Sequence, residues 1–202
     1  MFWKAMTLID HLRERGVDYR TTHLLFDDQY TVAYFPLFNL SGKLMGYQRY
    51  NPSGTKQRPA PKHQDYIIEE KQRYITRVAP KSYGFYGVNT YDIHSKYLFV
   101  TEGIFDCIKI HNAGYPAIAT LTSTVNKDAL RWFKLLPQHI IVMCDNDNAG
   151  KLLAKVGHTA VQVPAPYKDL GEMPQEHVNQ FITDVLHGFN STELIWRNEL
   201  WT

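Results

Sequence analysis

Residues 97–114 have the sequence YLFVTEGIFDCIKIHNAG, and this stretch determines the fold class of the chain. Its first five residues form a short apolar run that is typical of a strand buried on both faces. Residues 104–113 follow with apolar side chains at helical spacing, and Gly114 ends the helix. A buried strand that leads directly into a helix is the repeating unit of a parallel α/β sheet. The stretch therefore predicts one strand and one crossover helix of such a sheet.

The same alternation continues along the chain. Further apolar runs predict strands at residues 117–121, 139–144 and 159–163. Amphipathic spacing predicts helices between them, at residues 127–136 and 149–156. Because the connections are short, right-handed crossovers and a doubly wound sheet are expected. The predicted fold class is α/β, with a parallel four-stranded sheet flanked by helices.

The N-terminal part of the chain has a different pattern. A helix is predicted at residues 7–15, and aromatic, β-prone segments follow at residues 30–38 and 43–50. Residues 39–42, Asn-Leu-Ser-Gly, carry a turn signal, so the two segments are predicted to form a hairpin. Residues 51–63 are rich in Pro, Gly and basic side chains and lack periodicity, which predicts an exposed loop.

These patterns divide the chain into three regions. We predict a smaller, basic, mixed α+β subdomain at residues 1–95, the parallel-sheet domain at residues 96–172, and a C-terminal helix with an aromatic tail at residues 173–202. The tail contains Trp196 and Trp201. An exposed aromatic cluster is typical of a docking surface for a partner, and the alternative is that the tail folds back on its own domain.

Bulk composition narrows the class of protein. A chain of 202 residues with 44% hydrophobic residues can bury a core, and a formal net charge of +2 gives no global argument for nucleic acid binding. Cys107 and Cys144 lie in apolar runs, so we expect buried thiols rather than a disulfide or a zinc site. Neither a signal-peptide pattern nor a membrane-spanning apolar run occurs, so we expect a cytoplasmic protein with no membrane partner.

Acidic side chains directly follow the predicted strands. Glu102 comes after the first strand, and Asp145 and Asp147 come after the third. Ligands of open α/β sheets collect beyond the carboxyl ends of the strands, so we expect these carboxylates to converge. Converging carboxylates repel one another and lose part of their hydration. A cation that lies between them offsets both costs. Their oxygen atoms suit Mg²⁺ or Mn²⁺, which predicts a divalent metal site at these three residues.

Single members of this set have simpler explanations. Asp145 and Asp147 could only cap the helix that follows them, since Asp is favoured at that position. Asp106 lies on the first turn of the helix after Glu102, where it could touch the metal shell or only favour the helix dipole. Gly103 lets the backbone turn sharply and admits a phosphate close to it.

The acidic residues lie in three short motifs, which are VTEGIFD at residues 100–106, ATLTS at 119–123 and MCDNDNAG at 143–150. Together these motifs closely resemble the TOPRIM domain shared by DnaG-type primases, topoisomerases, OLD-family nucleases and recombination proteins of the RecR type. The resemblance implies a metal-binding fold in which Glu102 takes part in acid–base or metal chemistry while Asp145 and Asp147 carry the ions. It also implies that Asp169, which follows Lys168 after the fourth strand, is a further metal ligand or lies beside the ligands.

Motifs in the N-terminal half distinguish between these relatives. They are Phe35-Pro36, Gly42, GYQR at residues 46–49, YITR at 74–77 and PKSYGFYG at 80–87. They resemble the basic subdomain that precedes TOPRIM in DnaG-type and phage primases. The resemblance implies that Arg49, Arg77 and Lys81 bind the template backbone and nucleoside triphosphates. Interleaved aromatic and basic residues also suit stacking on bases, whereas Lys56 and Arg58 in the loop either contact phosphates or are merely solvated.

The combined resemblance implies a primase-like nucleotidyltransferase that joins ribonucleotides on a single-stranded DNA template by two-metal catalysis. A replicative helicase or a zinc-module protein is a candidate partner, because the chain has no cysteines with which to build the N-terminal zinc module of full primases. A minimal phage-type primase, a fragment and a TOPRIM protein with another task therefore all remain open. The alternative functions are a metal-dependent TOPRIM nuclease of the OLD type and a non-catalytic nucleic-acid-binding or anti-defence module.

Overall fold

The computed structural model describes residues 7–20, 22–56, 71–80, 82–146 and 150–188. Contacts among the residues define two compact units. Unit 1 holds the described residues up to Gly84 except residues 40–42, and unit 2 holds those three residues and the described chain from Phe85 onward. The tryptophans of the predicted tail, Trp196 and Trp201, lie outside the described residues.

Unit 1 contains a short helix and a four-stranded antiparallel sheet. The helix α1 spans Leu8–Glu14, and the strands are β1 Leu25–Phe26, β2 Ala33–Phe38, β3 Leu44–Tyr50 and β4 Tyr74–Val78. The order of the strands across the sheet is their order along the chain. Helix α1 begins at a capping box, in which the Asp10 N–H donates to the Thr7 hydroxyl and the Asp10 carboxylate accepts from the Thr7 N–H.

The predicted hairpin is confirmed as the antiparallel pair of β2 and β3. Ala33 of β2 lies opposite Tyr50 of β3. At the turn, the Lys43 N–H donates to Asn39 Oδ1 at 2.9 Å. Side chains along β2 alternate between buried and half-buried. One face of the sheet is therefore packed and the other is partly open to solvent.

The two outer strands of unit 1 are not evident from periodicity. Strand β1 has only two residues, which is too short to show an alternating pattern. Strand β4 contains the YITR motif and pairs with β3 from Val78 opposite Gly46 to Tyr74 opposite Tyr50. Gly46 is required at its position, because a Cβ there would collide with the carbonyl group of Arg77.

Unit 2 contains the predicted parallel sheet. Its strands are β5 Tyr97–Thr101, β6 Ala117–Ala119, β7 His139–Cys144 and β8 Thr159–Gln162, in the order β6-β5-β7-β8, and all pairings are parallel. The helices are α2 Ile104–Asn112, α3 Lys127–Leu135, α4 Gly150–Leu153 and α5 Gln175–Gly188, with 3-10 helices at Val88–Thr90, Ala154–Val156 and Leu170–Glu172. The fold class predicted from the sequence is thereby confirmed.

The central strands β5 and β7 form the middle of the core of unit 2. Leu98, Phe99, Ile140 and Ile141 are 0% exposed, although neighbours along a strand point to opposite faces. Both faces of the sheet are therefore covered, which explains the continuous apolar runs in the sequence. The predicted bounds of these two strands agree with the structure.

Strand β6 ends at Ala119, two residues before the predicted end at residue 121. The Leu121 backbone lies in the left-handed region, with a φ of 61°. Its N–H donates to the Glu102 carbonyl oxygen at 2.9 Å. The chain after β6 therefore bends across the end of β5 instead of continuing as a strand.

Residues 85–95 group with the parallel sheet by their contacts. Tyr86 pairs with Ala119 in an isolated antiparallel bridge, and the Phe85 ring contacts the Phe133 ring edge-on at 6.3 Å between centroids. The domain boundary that the sequence predicts after residue 95 stays a prediction.

Both thiols of the chain are buried, as the sequence predicts. Burial raises the pKa of each, that of Cys107 well above its ordinary value and that of Cys144 to about 12. Neither thiol is therefore ionised at neutral pH. Within the described residues, no helix is long and apolar enough to cross a membrane.

Candidate functional site

Two carboxylates lie where the central strands of unit 2 end. Glu102 directly follows β5 and Asp145 directly follows β7. Because β5 and β7 are neighbouring parallel strands, with Val100 opposite Val142, their carboxyl ends meet at one edge of the sheet. Both side chains are half-buried. We call Glu102 and Asp145 the acidic edge.

The third residue of the predicted metal set, Asp147, lies outside the described residues. Among the residues that the structure describes, no group of three or more His, Cys, Asp or Glu side chains is arranged to hold a metal ion. Metal binding by Glu102, Asp145 and Asp147 together therefore stays a prediction.

The donor atoms of the acidic edge suit a hard divalent cation. Glu102 and Asp145 each offer carboxylate oxygens on a partly exposed side chain. The neighbouring Cys144 side chain is buried, and burial, followed by the negative charge of Asp145, raises the pKa of its thiol to about 12. Carboxylate oxygens without a thiolate fit Mg²⁺ or Mn²⁺ better than Zn²⁺.

The segment from Lys168 to Glu172, which we call the 168–172 segment, carries the predicted ligand Asp169. Its carboxylate caps the 3-10 helix Leu170–Glu172, with Oδ1 accepting from the Glu172 N–H at 2.9 Å. The Asn146 N–H donates to the Lys168 carbonyl oxygen at 2.9 Å. Since Asn146 follows Asp145 directly, this bond joins the 168–172 segment to the chain that leaves β7. A role of Asp169 in metal binding stays a prediction.

Asp106 makes a contact that the sequence does not reveal. It lies on the first turn of α2 and is 7% exposed. Its Oδ1 accepts from the Gly171 N–H at 2.7 Å. The partners are 65 positions apart in the sequence, so no local pattern points to this bond. Favouring the helix dipole is therefore not the whole role of Asp106.

Aromatic and basic side chains share one face of the sheet in unit 1. Tyr47 and Arg49 lie two residues apart on β3, so they point to the same side. Opposite them in register lie Arg77 on β4 and Tyr34 on β2 respectively. The rings of Tyr34 and Tyr47 meet edge-on at 5.3 Å between centroids. We call Tyr34, Tyr47, Arg49 and Arg77 the Tyr–Arg face.

The opposite side of β3 explains why this face is presented to solvent. Gln48 and Tyr50 are 9% and 1% exposed, whereas Tyr47 is 39% exposed. Gln48 Nε2 donates to the Thr76 hydroxyl at 3.0 Å, which joins β3 to β4 on the side of the sheet opposite the Tyr–Arg face. The structure thus brings two of the predicted nucleotide- or DNA-binding residues, Arg49 and Arg77, onto neighbouring strands.

The remaining predicted binding residues are spread along the chain. Lys56 is exposed just after an isolated bridge between Thr55 and Gln72. Gly103 is the N-cap of α2, at the end of β5. Arg58 and Lys81 lie outside the described residues, and their predicted roles stay predictions.

Comparisons of sequence place this chain near known primases. Residues 99–175 match the family described as Toprim-like. The DNA primase of Thermotoga maritima is 28% identical over 107 residues, which are 48% of this chain and 19% of the relative. The DNA primase of Helicobacter pylori strain 26695 is 28% identical over 148 residues, which are 70% of this chain and 24% of the relative. The chain thus spans about a quarter or less of the curated relatives that it matches.

Comparisons of structure give the same fold. The DnaG catalytic core matches 89% of this chain with a TM-score of 0.62 at 13% identity, and the match covers 72% of that core. The primase fragment of the bacteriophage T7 primase-helicase protein matches 87% with a TM-score of 0.60 at 17% identity, covering 73% of that fragment. Residues 99–175 are thus similar to the Toprim-like family, and the chain resembles a primase catalytic core in fold.

Proposed function

We propose that this protein is a primase-like nucleotidyltransferase that joins ribonucleotides on a single-stranded DNA template. The observation that carries the proposal is the acidic edge, where Glu102 and Asp145 end neighbouring parallel strands of a Toprim-like domain. Likeness to primase cores over most of the chain supports a primase rather than another class of TOPRIM protein.

The acidic edge is the proposed catalytic centre. Glu102, Asp145 and Asp147 would hold Mg²⁺ or Mn²⁺, with Asp169 as a further ligand or neighbour. When bound, such ions neutralise charge on the reacting phosphates and help to orient the groups that react. The carboxylates would hold such ions at the strand ends, where the buried strands β5 and β7 fix their spacing.

The Tyr–Arg face is the proposed binding surface for the template strand or for the triphosphate. One arginine guanidinium group can donate two parallel hydrogen bonds to the oxygens of a phosphate. Tyrosine rings stack on bases of any sequence. Arg49 and Arg77 would supply the first kind of contact, and Tyr34 and Tyr47 the second. Lys56, Arg58, Lys81 and Gly103 are proposed as additional contacts to phosphates. Sequence preference is expected to be modest.

A replicative helicase or a zinc-module protein is the proposed partner. Such a partner would contribute to the selection of the template. A cytoplasmic location fits this role. Adding the partner should then raise the rate of synthesis rather than be essential for the chemistry.

The test is synthesis from labelled nucleoside triphosphates on single-stranded templates of varied sequence, with Mg²⁺, with Mn²⁺ and with a chelator. We expect short oligomers only with a divalent ion, and none from Asp145→Asn. Asp128→Asn is the matched control, since Asp128 is an exposed carboxylate in the first turn of α3. Metal-dependent degradation of DNA without synthesis would show a nuclease instead. Inactivity in both assays together with tight binding to another protein would show a non-catalytic module.

A further inference from the structure

Helix α3 ends in large apolar side chains that the core of unit 2 does not enclose. Leu135, the last residue of the helix, is 77% exposed, and Trp132 is half-buried. Because residues three apart are neighbours on a helix surface, these two side chains share one side of α3. The buried residues of the helix are Ala129 and Phe133. The packing of α3 in unit 2 therefore leaves Leu135 available for another contact.

The loop before β5 adds two more side chains to this surface. The Tyr91 ring contacts the Trp132 ring at 5.9 Å between centroids, and Ile93 is 60% exposed. The buried Gln138 side chain fixes the loop beside the end of α3. Its Oε1 accepts from the Tyr91 hydroxyl at 3.0 Å, and its Nε2 donates to the Ile93 carbonyl oxygen at 3.0 Å. We call Tyr91, Ile93, Trp132 and Leu135 the α3 patch.

A row of exposed basic side chains borders the patch, and it consists of Lys127, Arg131 and Lys134. Spacings of three and four residues place them on one side of α3, and Arg131 is a neighbour of Leu135 four residues later. Asp128 is the one acidic residue of the helix, so α3 carries three basic side chains against one acidic. On the loop, the Asp92 carboxylate accepts from the His94 N–H at 2.9 Å within its own turn. The patch thus combines exposed apolar side chains with a positively charged border.

This chemistry favours a protein segment that carries both acidic and large apolar side chains. Carboxylates complement the basic row, and apolar anchors would cover Leu135 and Ile93. Single-stranded nucleic acid suits the patch less well, because these two most exposed members are aliphatic and offer no ring on which a base can stack. A second copy of this chain also suits it less well, since a symmetric interface would bring two basic rows together.

We propose that the α3 patch and its basic row form a docking site for an acidic, amphipathic segment of a partner protein. Gln138 directly precedes β7, whereas Asp145 directly follows it. The docking site and the acidic edge therefore lie at opposite ends of this strand, and a bound segment would leave the acidic edge open. The proposal does not rest on the proposed function, because the docking of a segment is measured without nucleotides.

The test begins with the selection of random peptides displayed on phage, with the full chain as the target. Peptides that bind the unaltered chain but not Leu135→Glu should be enriched in Asp or Glu together with Trp, Phe or Leu. Because Leu135 is largely exposed, the substitution should leave the fold intact, which circular dichroism checks. Ile93→Glu takes its place if Leu135→Glu fails to fold.

Fluorescence anisotropy with the most enriched peptide then measures affinity. Leu135→Glu should weaken binding about tenfold or more, the effect of removing a central apolar anchor. Lys134→Glu should weaken binding several-fold at low salt and much less at high salt, because salt screens exposed charges. The matched controls are Leu25→Glu and Lys43→Glu, which alter exposed side chains of unit 1 and should leave the affinity unchanged.

Four results would overturn the inference. Selection of peptides without acidic side chains, or of none that depend on Leu135, would exclude a docking site of this chemistry. An equal loss of affinity in Leu25→Glu would show unspecific apolar binding. Displacement of the peptide by a single-stranded oligonucleotide would make the patch a nucleic-acid site. Self-association in sedimentation that Leu135→Glu abolishes would make a second copy of the chain the occupant.

Discussion

At the scale of single residues, substitution of Asp145 should affect activity and stability in opposite directions. Asp145→Asn should abolish nucleotide joining, because a neutral amide cannot replace a carboxylate ligand. The variant should be as stable as the unaltered protein or more stable, since repulsion with Glu102 is relieved. Thermal unfolding and the synthesis assay check the two parts. Full synthesis by the variant would exclude Asp145 from the catalytic centre.

Arg77 tests the Tyr–Arg face, because it is exposed and lies opposite the partly exposed Tyr47. Arg77→Ala should weaken single-stranded DNA binding or nucleotide use by about 1–3 kcal/mol, the range for a hydrogen bond to a charged group. The salt dependence of DNA binding should also become less steep, because one phosphate contact is lost.

The matched control for Arg77 is Arg20→Ala. Arg20 is an exposed arginine of the same unit that belongs to neither β3 nor β4, and its guanidinium group lies over the Tyr19 ring. Titrations of labelled single-stranded DNA at several salt concentrations would separate the two variants. Equal effects of both substitutions would reduce the Tyr–Arg face to a general basic surface.

The sequence predicts which residues form the acidic edge and the Tyr–Arg face, but it does not predict their long-range hydrogen-bond partners. The order of apolar runs reveals that Glu102 and Asp145 follow strands, because buried parallel strands are continuous apolar stretches. Alternation along β3 likewise reveals Tyr47 and Arg49 on one side. The bond from Asp106 to Gly171 depends on the packing of α2 against a distant segment, which no periodicity encodes.

At the scale of elements, helix α2 and strand β7 each contain a histidine whose neutral form is favoured in the folded protein. Burial lowers the pKa of His111 on α2 below its ordinary value of 6.5, and its Nε2 lies 3.0 Å from the Ala117 carbonyl oxygen. Burial, followed by the charges of His158 and Lys96, also lowers the pKa of His139 at the start of β7. Both rings therefore bind a proton less readily in the folded protein than in the unfolded chain.

The free energy of unfolding should therefore decrease on acidification. The contribution of each ring is present above the unfolded pKa of 6.5 and is lost as the pH falls from that value through the folded pKa. Denaturant unfolding from about pH 7.5 to about pH 5 measures this slope. His111→Gln should flatten it, whereas His94→Gln, on an exposed turn, should leave it unchanged. An identical slope in both variants would contradict this account.

The turn before the first 3-10 helix depends on Gly87. Its φ is 86°, and a Cβ there would collide with the Ala117 carbonyl group and approach Cys107 Sγ at 3.0 Å. Gly114 has a similar φ of 88° with nothing within 4 Å. Gly114→Ala should thus cost only the left-handed backbone penalty of about 1–2 kcal/mol. Gly87→Ala should cost more in denaturant unfolding, and equal costs would show that the turn can relax.

Element bounds are predicted best where one physical cause dominates. β5 and β7 are bounded by the ends of their apolar runs, so sequence and structure agree. β6 is shorter than predicted, because hydrogen bonds to the end of β5 turn its chain aside at Leu121. β1 escapes prediction, since two residues acquire strand geometry only by pairing with β2.

At the scale of the whole molecule, the fold of unit 2 is easier to predict from the sequence than the fold of unit 1. The parallel sheet of unit 2 follows from a strand and helix rhythm, which leaves few topologies open. The four-stranded sheet of unit 1 follows from a hairpin plus two outer strands, and only the hairpin has a turn signal. Resemblance to primase cores supplies what periodicity lacks there, and the structural comparisons agree with it.

The strand order β6-β5-β7-β8 bears on how unit 2 can be assembled. The first strand made, β5, occupies an inner position, β6 adds to one side of it, and β7 and then β8 add to the other. No strand has to insert between two that are already paired, so the sheet can grow in the order in which a ribosome delivers it. Glu102 and Asp145 then come together as soon as β7 docks, before β8 and the 168–172 segment have been made, so the acidic edge would be in place before the sheet is complete.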